Sequence, residues 1–93
     1  MAKVTVKFFA TVREITKIPR IEMEARNIRE LLEKLKVKYG RQFIDTVIDT
    51  ETGEMKRFFS CMINGKRIEL LDGYETVLKD GDAVALFPPV GGG

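Results

Sequence analysis

Between Asn27 and Gly40 the chain reads NIRELLEKLKVKYG, with Ile28, Leu31, Leu32 and Leu35 recurring at helical spacing. A helix with one apolar stripe and one charged face cannot stand alone; it has to lie across a sheet. Its ends are written in the sequence. Asn27 is placed to cap the first turn, Glu30 sits three residues on as its capping-box partner, and Gly40 can take the left-handed conformation that closes a helix near Tyr39. Lys34, Lys36 and Lys38 gather toward the negative pole of the helix dipole.

The flanking segments supply the sheet. Residues 3–10, KVTVKFFA, alternate Val4, Val6 and Phe8 against Lys3, Thr5 and Lys7, the period of a strand buried on one face. After TVREITKIP, punctuated by Pro19, residues 20–24 alternate again with Ile21 and Met23 inward, which predicts an antiparallel hairpin with the first strand. Residues 40–56 carry a weaker signal: Phe43, Ile44, Val47 and Ile48 suggest a short helical turn, and DTETGE is polar, turn-rich and expected to be mobile. Residues 57–64, RFFSCMIN, predict a strand with Phe59, Cys61 and Ile63 on one face and Phe58, Ser60 and Met62 on the other. Asn64-Gly65 is a hairpin signal, a short strand is expected at 66–69, Asp80-Gly81 marks a turn, and a last strand at 82–87 turns Val84 and Leu86 inward. This order predicts an α+β fold, a mixed sheet of four to five strands with one main helix packed across it. If the first and last strands are central neighbours they run parallel, which is a β-grasp, or ubiquitin-like, arrangement. Residues 1–87 would form this domain and residues 88–93 a flexible tail.

At 93 residues there is room for one core. The composition, 44% hydrophobic and 32% charged, is that of a globular domain, and no apolar stretch is long enough for a membrane span or a signal peptide, so a cytoplasmic location is expected. Cys61 is the only cysteine and there is no histidine, which argues against a structural metal site, a disulfide, or a nucleophile paired with His. A net charge of +2, with both signs interspersed, argues against nucleic-acid binding. If the chain takes part in a reaction, its own side chains are not expected to catalyse it.

The unusual feature is the end, FPPVGGG. Pro88 and Pro89 cannot donate to a sheet ladder, so the last strand must stop there and the tail leave the sheet. From Phe87 to the terminal carboxylate an extended chain reaches about 20 Å, at ~3.3–3.6 Å per residue. A glycine run can thread a cleft too narrow for a Cβ, and its backbone can be gripped by β-addition, presenting the carboxylate of Gly93 as a substrate. A frayed end or a cloning remnant is the plainer alternative.

FPPVGGG resembles the FPPV-x-GG terminus of the small subunit of molybdopterin synthase, in the MoaD/ThiS sulfur-carrier family of ubiquitin-like proteins. KFFATVREIT, IRELLEKLKVKYG and MINGKRIELLDGYETVLKDGDAVALFPPV extend the resemblance over nearly the whole chain. Two positions depart from it: Lys17 stands where many relatives have glycine, and Gly91 where Ser or Ala is usual. The resemblance implies that an adenylyltransferase similar to ubiquitin-activating enzymes uses ATP to activate Gly93, and that a sulfur-donor enzyme then converts it to a thiocarboxylate. It also implies that the tail enters the synthase large subunit, which holds the catalytic groups, and donates sulfur for the dithiolene that binds molybdenum or tungsten. Gly92 and Gly93 would be the reacting end, with no cofactor bound to the chain itself. Phe87, Pro88, Pro89, Val90 and Gly91 would contact the partner. Strand parity adds Phe58 and Met62, placing them with Phe87 on the sheet face opposite the helix, where nothing in the chain is expected to cover them.

Other residues admit two readings. Cys61 is a conceivable sulfur carrier, but its strand parity makes it a core residue. Asp80 and Asp82 around Gly81 could hold a cation, or simply build a turn. Arg13 and Glu14 form a surface ion pair or take part in the family's chemistry. Three functions stay open: a sulfur carrier, a ubiquitin-like modifier joined to lysines through Gly93, and an interaction module with an inert tail.

Overall fold

The computed structural model of the chain describes residues 1–88. Five strands form one mixed sheet in the order β2-β1-β5-β3-β4, with three α-helices. Strand β1 (Ala2–Phe8) buries Val4, Val6 and Phe8, as the alternation predicts, and also Ala2, one residue before the expected start. It pairs antiparallel with β2 (Arg20–Ala25), Lys3 opposite Glu24 and Lys7 opposite Arg20. It also pairs parallel with β5 (Ala83–Phe87), Val6 beside Val84 and Phe8 beside Leu86. The first and last strands are thus central, parallel neighbours, the β-grasp arrangement expected from the order of elements.

Three expectations need correction. The link from β1 to β2 is not a turn but a second helix, α1 (Ala10–Thr16), which buries Val12 and Thr16. It was hidden because it is only seven residues long and rich in β-branched Thr11, Val12, Ile15 and Thr16, poor helix formers whose burial supplies what propensity does not. The strand expected from residue 57 begins at Ser60 (β3, Ser60–Ile63): Arg57 and Phe58 lie in a turn, and the Phe59 N–H donates to the Lys56 carbonyl at 2.9 Å. The strand expected at 66–69 keeps only β4 (Lys66–Arg67) before a 3₁₀ turn, Ile68–Leu70, drops Ile68 into the core. The β3–β4 hairpin turns at Asn64 and Gly65, whose φ values of 52° and 85° are what the Asn-Gly pair permits.

The long helix is α2 (Ile28–Tyr39), and it buries the four predicted apolar residues. Asn27 Oδ1 accepts from the Glu30 N–H at 2.8 Å, while Glu30 Oε1 accepts from the N–H of Arg26, one residue before the expected partner. A third helix, α3 (Arg41–Val47), realises the helical turn expected there and packs Phe43 and Val47 inward. The following turn, expected to be mobile, is closed by the Asp49 N–H on the Glu54 carbonyl at 2.8 Å, and Lys36 Nζ donates to the Gly53 carbonyl at 2.7 Å. The helices cover one face of the sheet. The other face, bearing Lys3, Thr5, Lys7, Ala83, Ala85, Phe87, Ser60 and Met62, has no layer over it among the described residues.

Candidate functional site

β5 is the middle strand, held by β1 on one side and β3 on the other. Its alternation divides it cleanly: Val84 and Leu86 are wholly buried, whereas Ala83, Ala85 and Phe87 lie half-buried on the open face. The strand ends at Phe87, and Pro88, the last described residue, has no N–H with which to continue the ladder. In register, Phe87 lies beside Ser60, and Ala85 beside Met62. The point where the chain leaves the sheet is therefore bordered by side chains of the open face.

Phe87 is not bare. The ring of Phe9 stacks on it, centroids 4.5 Å apart and planes 10° from parallel, so a neighbour in the chain covers one face of a ring expected to be uncovered. Phe9 was not singled out in the sequence, yet the signal was there. The series Lys3, Thr5, Lys7 continues to Phe9, and parallel pairing of Phe8 with Leu86 sets the next two residues side by side. Phe9 remains 38% exposed, so the pair forms a two-ring apolar surface at the exit of β5. Met62 is half-buried on the same face, as parity predicts. Phe58 is 72% exposed, but because it lies in the turn before β3, not because of strand alternation; the Arg57 guanidinium sits 5.9 Å from its ring centroid.

Cys61 is buried on the core side of β3, and burial, helped by the negative charge of Glu69, pushes its thiol up to about 12. It is a packed thiol at neutral pH, and the thiolate needed for sulfur chemistry is suppressed. Asp80 and Asp82 build the turn before β5. Asp80 Oδ1 accepts from the Lys3 N–H at 2.9 Å, and Asp82 accepts from the Lys79 N–H at 2.8 Å and from Asn64 Nδ2 at 2.9 Å. Among the described residues no three His, Cys, Asp or Glu side chains converge as metal ligands, and no helix is long and apolar enough to cross a membrane. Arg13 and Glu14 are both exposed on α1. The site residues Pro89, Val90, Gly91, Gly92 and Gly93 lie outside the described residues.

The profile of the ThiS family matches residues 6–93 of the chain. Small archaeal modifier protein 3 of Haloferax volcanii is 37% identical over 95 residues, an alignment covering 94% of this chain and 95% of that protein. The solution structure of small archaeal modifier protein 1 from Methanosarcina acetivorans superposes with a TM-score of 0.84 at 34% identity, covering 100% of this chain and 98% of the other. A Pyrococcus furiosus structure, described as a candidate molybdopterin converting factor subunit 1, gives a TM-score of 0.74 at 28% identity over 97% of this chain and 100% of its own.

Proposed function

The chain belongs to the ThiS family of ubiquitin-like proteins, and on that footing we propose that it is a sulfur carrier whose Gly93 carboxylate is activated and thiolated by partner enzymes. In this reading an adenylyltransferase joins the carboxylate to AMP, releasing pyrophosphate from ATP. A sulfur nucleophile then attacks the acyl carbon and expels AMP, leaving a thiocarboxylate. The observation that carries the reading is the position of β5: a central strand, anchored on both edges, ends beside the stacked Phe9–Phe87 pair on the open face and hands on to a tail that finishes in three glycines. The fold is fixed where the partner would seat, and the end to be modified has no side chain to obstruct a narrow active site. Phe87, Phe9, Met62 and Phe58 would supply apolar contact, with Pro88, Pro89, Val90 and Gly91 gripped as extended backbone. Catalytic groups would come from the partners. The chain offers no histidine, and its one thiol is buried.

As the recipient of the sulfur we propose a pterin precursor, with the chain serving as the small subunit of molybdopterin synthase. The FPPV-x-GG pattern and the likeness to the Pyrococcus furiosus protein support that assignment. A second reading, a modifier joined through Gly93 to lysines, is favoured by the 37% identity to small archaeal modifier protein 3. The two share activation and part at the nucleophile, sulfur or amine. Incubation with a cognate activating enzyme, ATP and a sulfur source, followed by intact-mass and peptide analysis, separates them. A thiocarboxylate that yields molybdopterin with a large subunit supports the synthase. Recovery of Gly93 chiefly in isopeptide bonds, with no sulfur-bearing free form, replaces it with the modifier. Neither product in the presence of a competent enzyme defeats both.

A further inference from the structure

Beside the aromatic pair lies a recess of about 260 Å³ lined by Lys7, Phe8, Phe9, Arg13, Pro19 and Arg20. Its charges are arranged against the interest of the fold. Lys7 and Arg20 stand directly opposite one another in the β1–β2 register, where like charges destabilise a sheet, and Arg13 of α1 adds a third cation. Elsewhere on the same ladder the cation is answered: Lys3 lies opposite Glu24 and bridges Glu22 at 3.6 Å. The ion pairs among the described residues engage Lys3, Arg26, Arg29, Lys36 and Arg67, but not Lys7, Arg13 or Arg20. A local rule broken with no compensating ion pair among the described residues suits a surface shaped for a partner.

We propose that this recess is a docking groove for an acidic, extended segment of the enzyme that activates the tail, its carboxylates paired with Lys7, Arg13 and Arg20 and an apolar side chain resting on Phe9. The inference depends on the activation of Gly93 set out above and names the surface that recruits the activating enzyme. Two features select a peptide. Guanidinium groups match carboxylates in a two-point geometry, and an extended peptide can carry acidic and apolar side chains at every second residue on one face, so that both meet the cations and the Phe9 ring lining the recess. A free phosphate would leave Phe9 uncovered, and a net charge of only +2 offers no wider basic track for a nucleic acid. Phe9 stacks on Phe87, so a partner seated here stands beside the strand that leads to the tail.

Steering of this kind acts on encounter, so it belongs in KM more than in kcat. With the full-length protein, ATP–pyrophosphate exchange by the activating enzyme is expected to show KM for the carrier raised roughly tenfold by Arg20→Glu or Arg13→Glu, with kcat held. Thermal stability of Arg20→Glu should be unchanged or higher, because the new carboxylate faces Lys7. Lys38→Glu, the same charge change on the exposed side of α2, should leave KM where it was. In parallel, the octapeptide Glu-Ser-Glu-Ser-Glu-Ser-Leu-Ser, which presents Glu and Leu on one face when extended, should shift the amide resonances of Lys7, Phe9, Arg13 and Arg20 in the isotope-labelled protein. The shifts should fade in salt and be absent when Gln replaces each Glu of the peptide. Unchanged KM in both arginine variants, or an equal rise with Lys38→Glu, overturns the groove while leaving activation of the tail standing. So does inorganic phosphate or a single-stranded oligonucleotide that shifts these amides more strongly than the acidic peptide. If the unaltered protein shows no exchange at all, activation of the tail is what fails, and the peptide titration decides the groove by itself.

Discussion

Lys17 ends α1 with φ at 68° and ψ at 3°, a left-handed conformation in which its Cβ crowds the following carbonyl. The turn therefore has the geometry that suits a glycine, and this chain keeps its shape with a lysine. Thr16 helps to hold it, its hydroxyl donating to the Ile18 carbonyl at 2.8 Å. Lys17→Gly should stabilise the protein by about 0.5–1 kcal/mol, the relief of backbone strain exceeding the added freedom of the unfolded chain. A higher denaturant midpoint at unchanged slope would show it; a lower midpoint would mean that the lysine side chain contributes more than its backbone costs. Cys61 offers a second test. With its thiol held up to about 12 by burial, native protein at pH 8 should react with iodoacetamide far more slowly than unfolded protein, and Cys61→Ala should leave sulfur loading of Gly93 intact. Rapid native labelling would return Cys61 to the list of candidate carriers. The sign for stability follows: the raised folded value favours the neutral thiol, so the contribution is complete below the unfolded thiol pKa and declines as pH rises from there toward about 12.

Among the elements, α2 depends most on its first turn. Asn27 Oδ1 caps the Glu30 N–H, and Asn27→Ala should cost about 1 kcal/mol. Glu30 titrates below its ordinary value, first because its carboxylate accepts from the Arg26 backbone N–H and then because Arg26 and Lys34 lie near. A depressed carboxylate stabilises above its unfolded pKa, and that contribution is lost as pH falls through the folded value. Acid unfolding of Glu30→Gln should therefore be less steep below the ordinary glutamate range, and identical acid profiles would remove Glu30 from the account. What could be read in advance follows from how long a period persists. β1, β2, α2 and β5 each sustain theirs over at least five residues, and their inward residues follow from it except Ala2 and Ala25 at the strand ends. α1 is too short and too β-branched to declare itself, and β4 surrenders half its expected length to a 3₁₀ turn set by the burial of Ile68. At the candidate site, Phe87 and Met62 were visible from alternation. The face of Phe9 follows from continuing that alternation, but its place beside Phe87, and that of Lys7 beside Arg20, arise only through strand registers that no local pattern states.

For the molecule as a whole, the core of the described residues lies before the proposed reacting end of the chain. Among the described residues the buried ones run from Ala2 to Leu86, all before the glycine run in the sequence. Deleting Gly92 and Gly93 should thus leave the melting temperature unchanged while abolishing ATP–pyrophosphate exchange. Retained exchange would sink the tail as substrate, and a lowered melting temperature would give it a structural part. The parallel pairing of β1 with β5 also has a mechanical side. A pull on the chain beyond Phe87 is directed along β5, whose bonds to β1 and β3 lie across that direction. The load is shared by both ladders in shear, where peeling would break bonds one after another. A partner that drew the end into its active site, as proposed, would haul on a strand gripped from both sides, a geometry that resists being towed apart by its terminus.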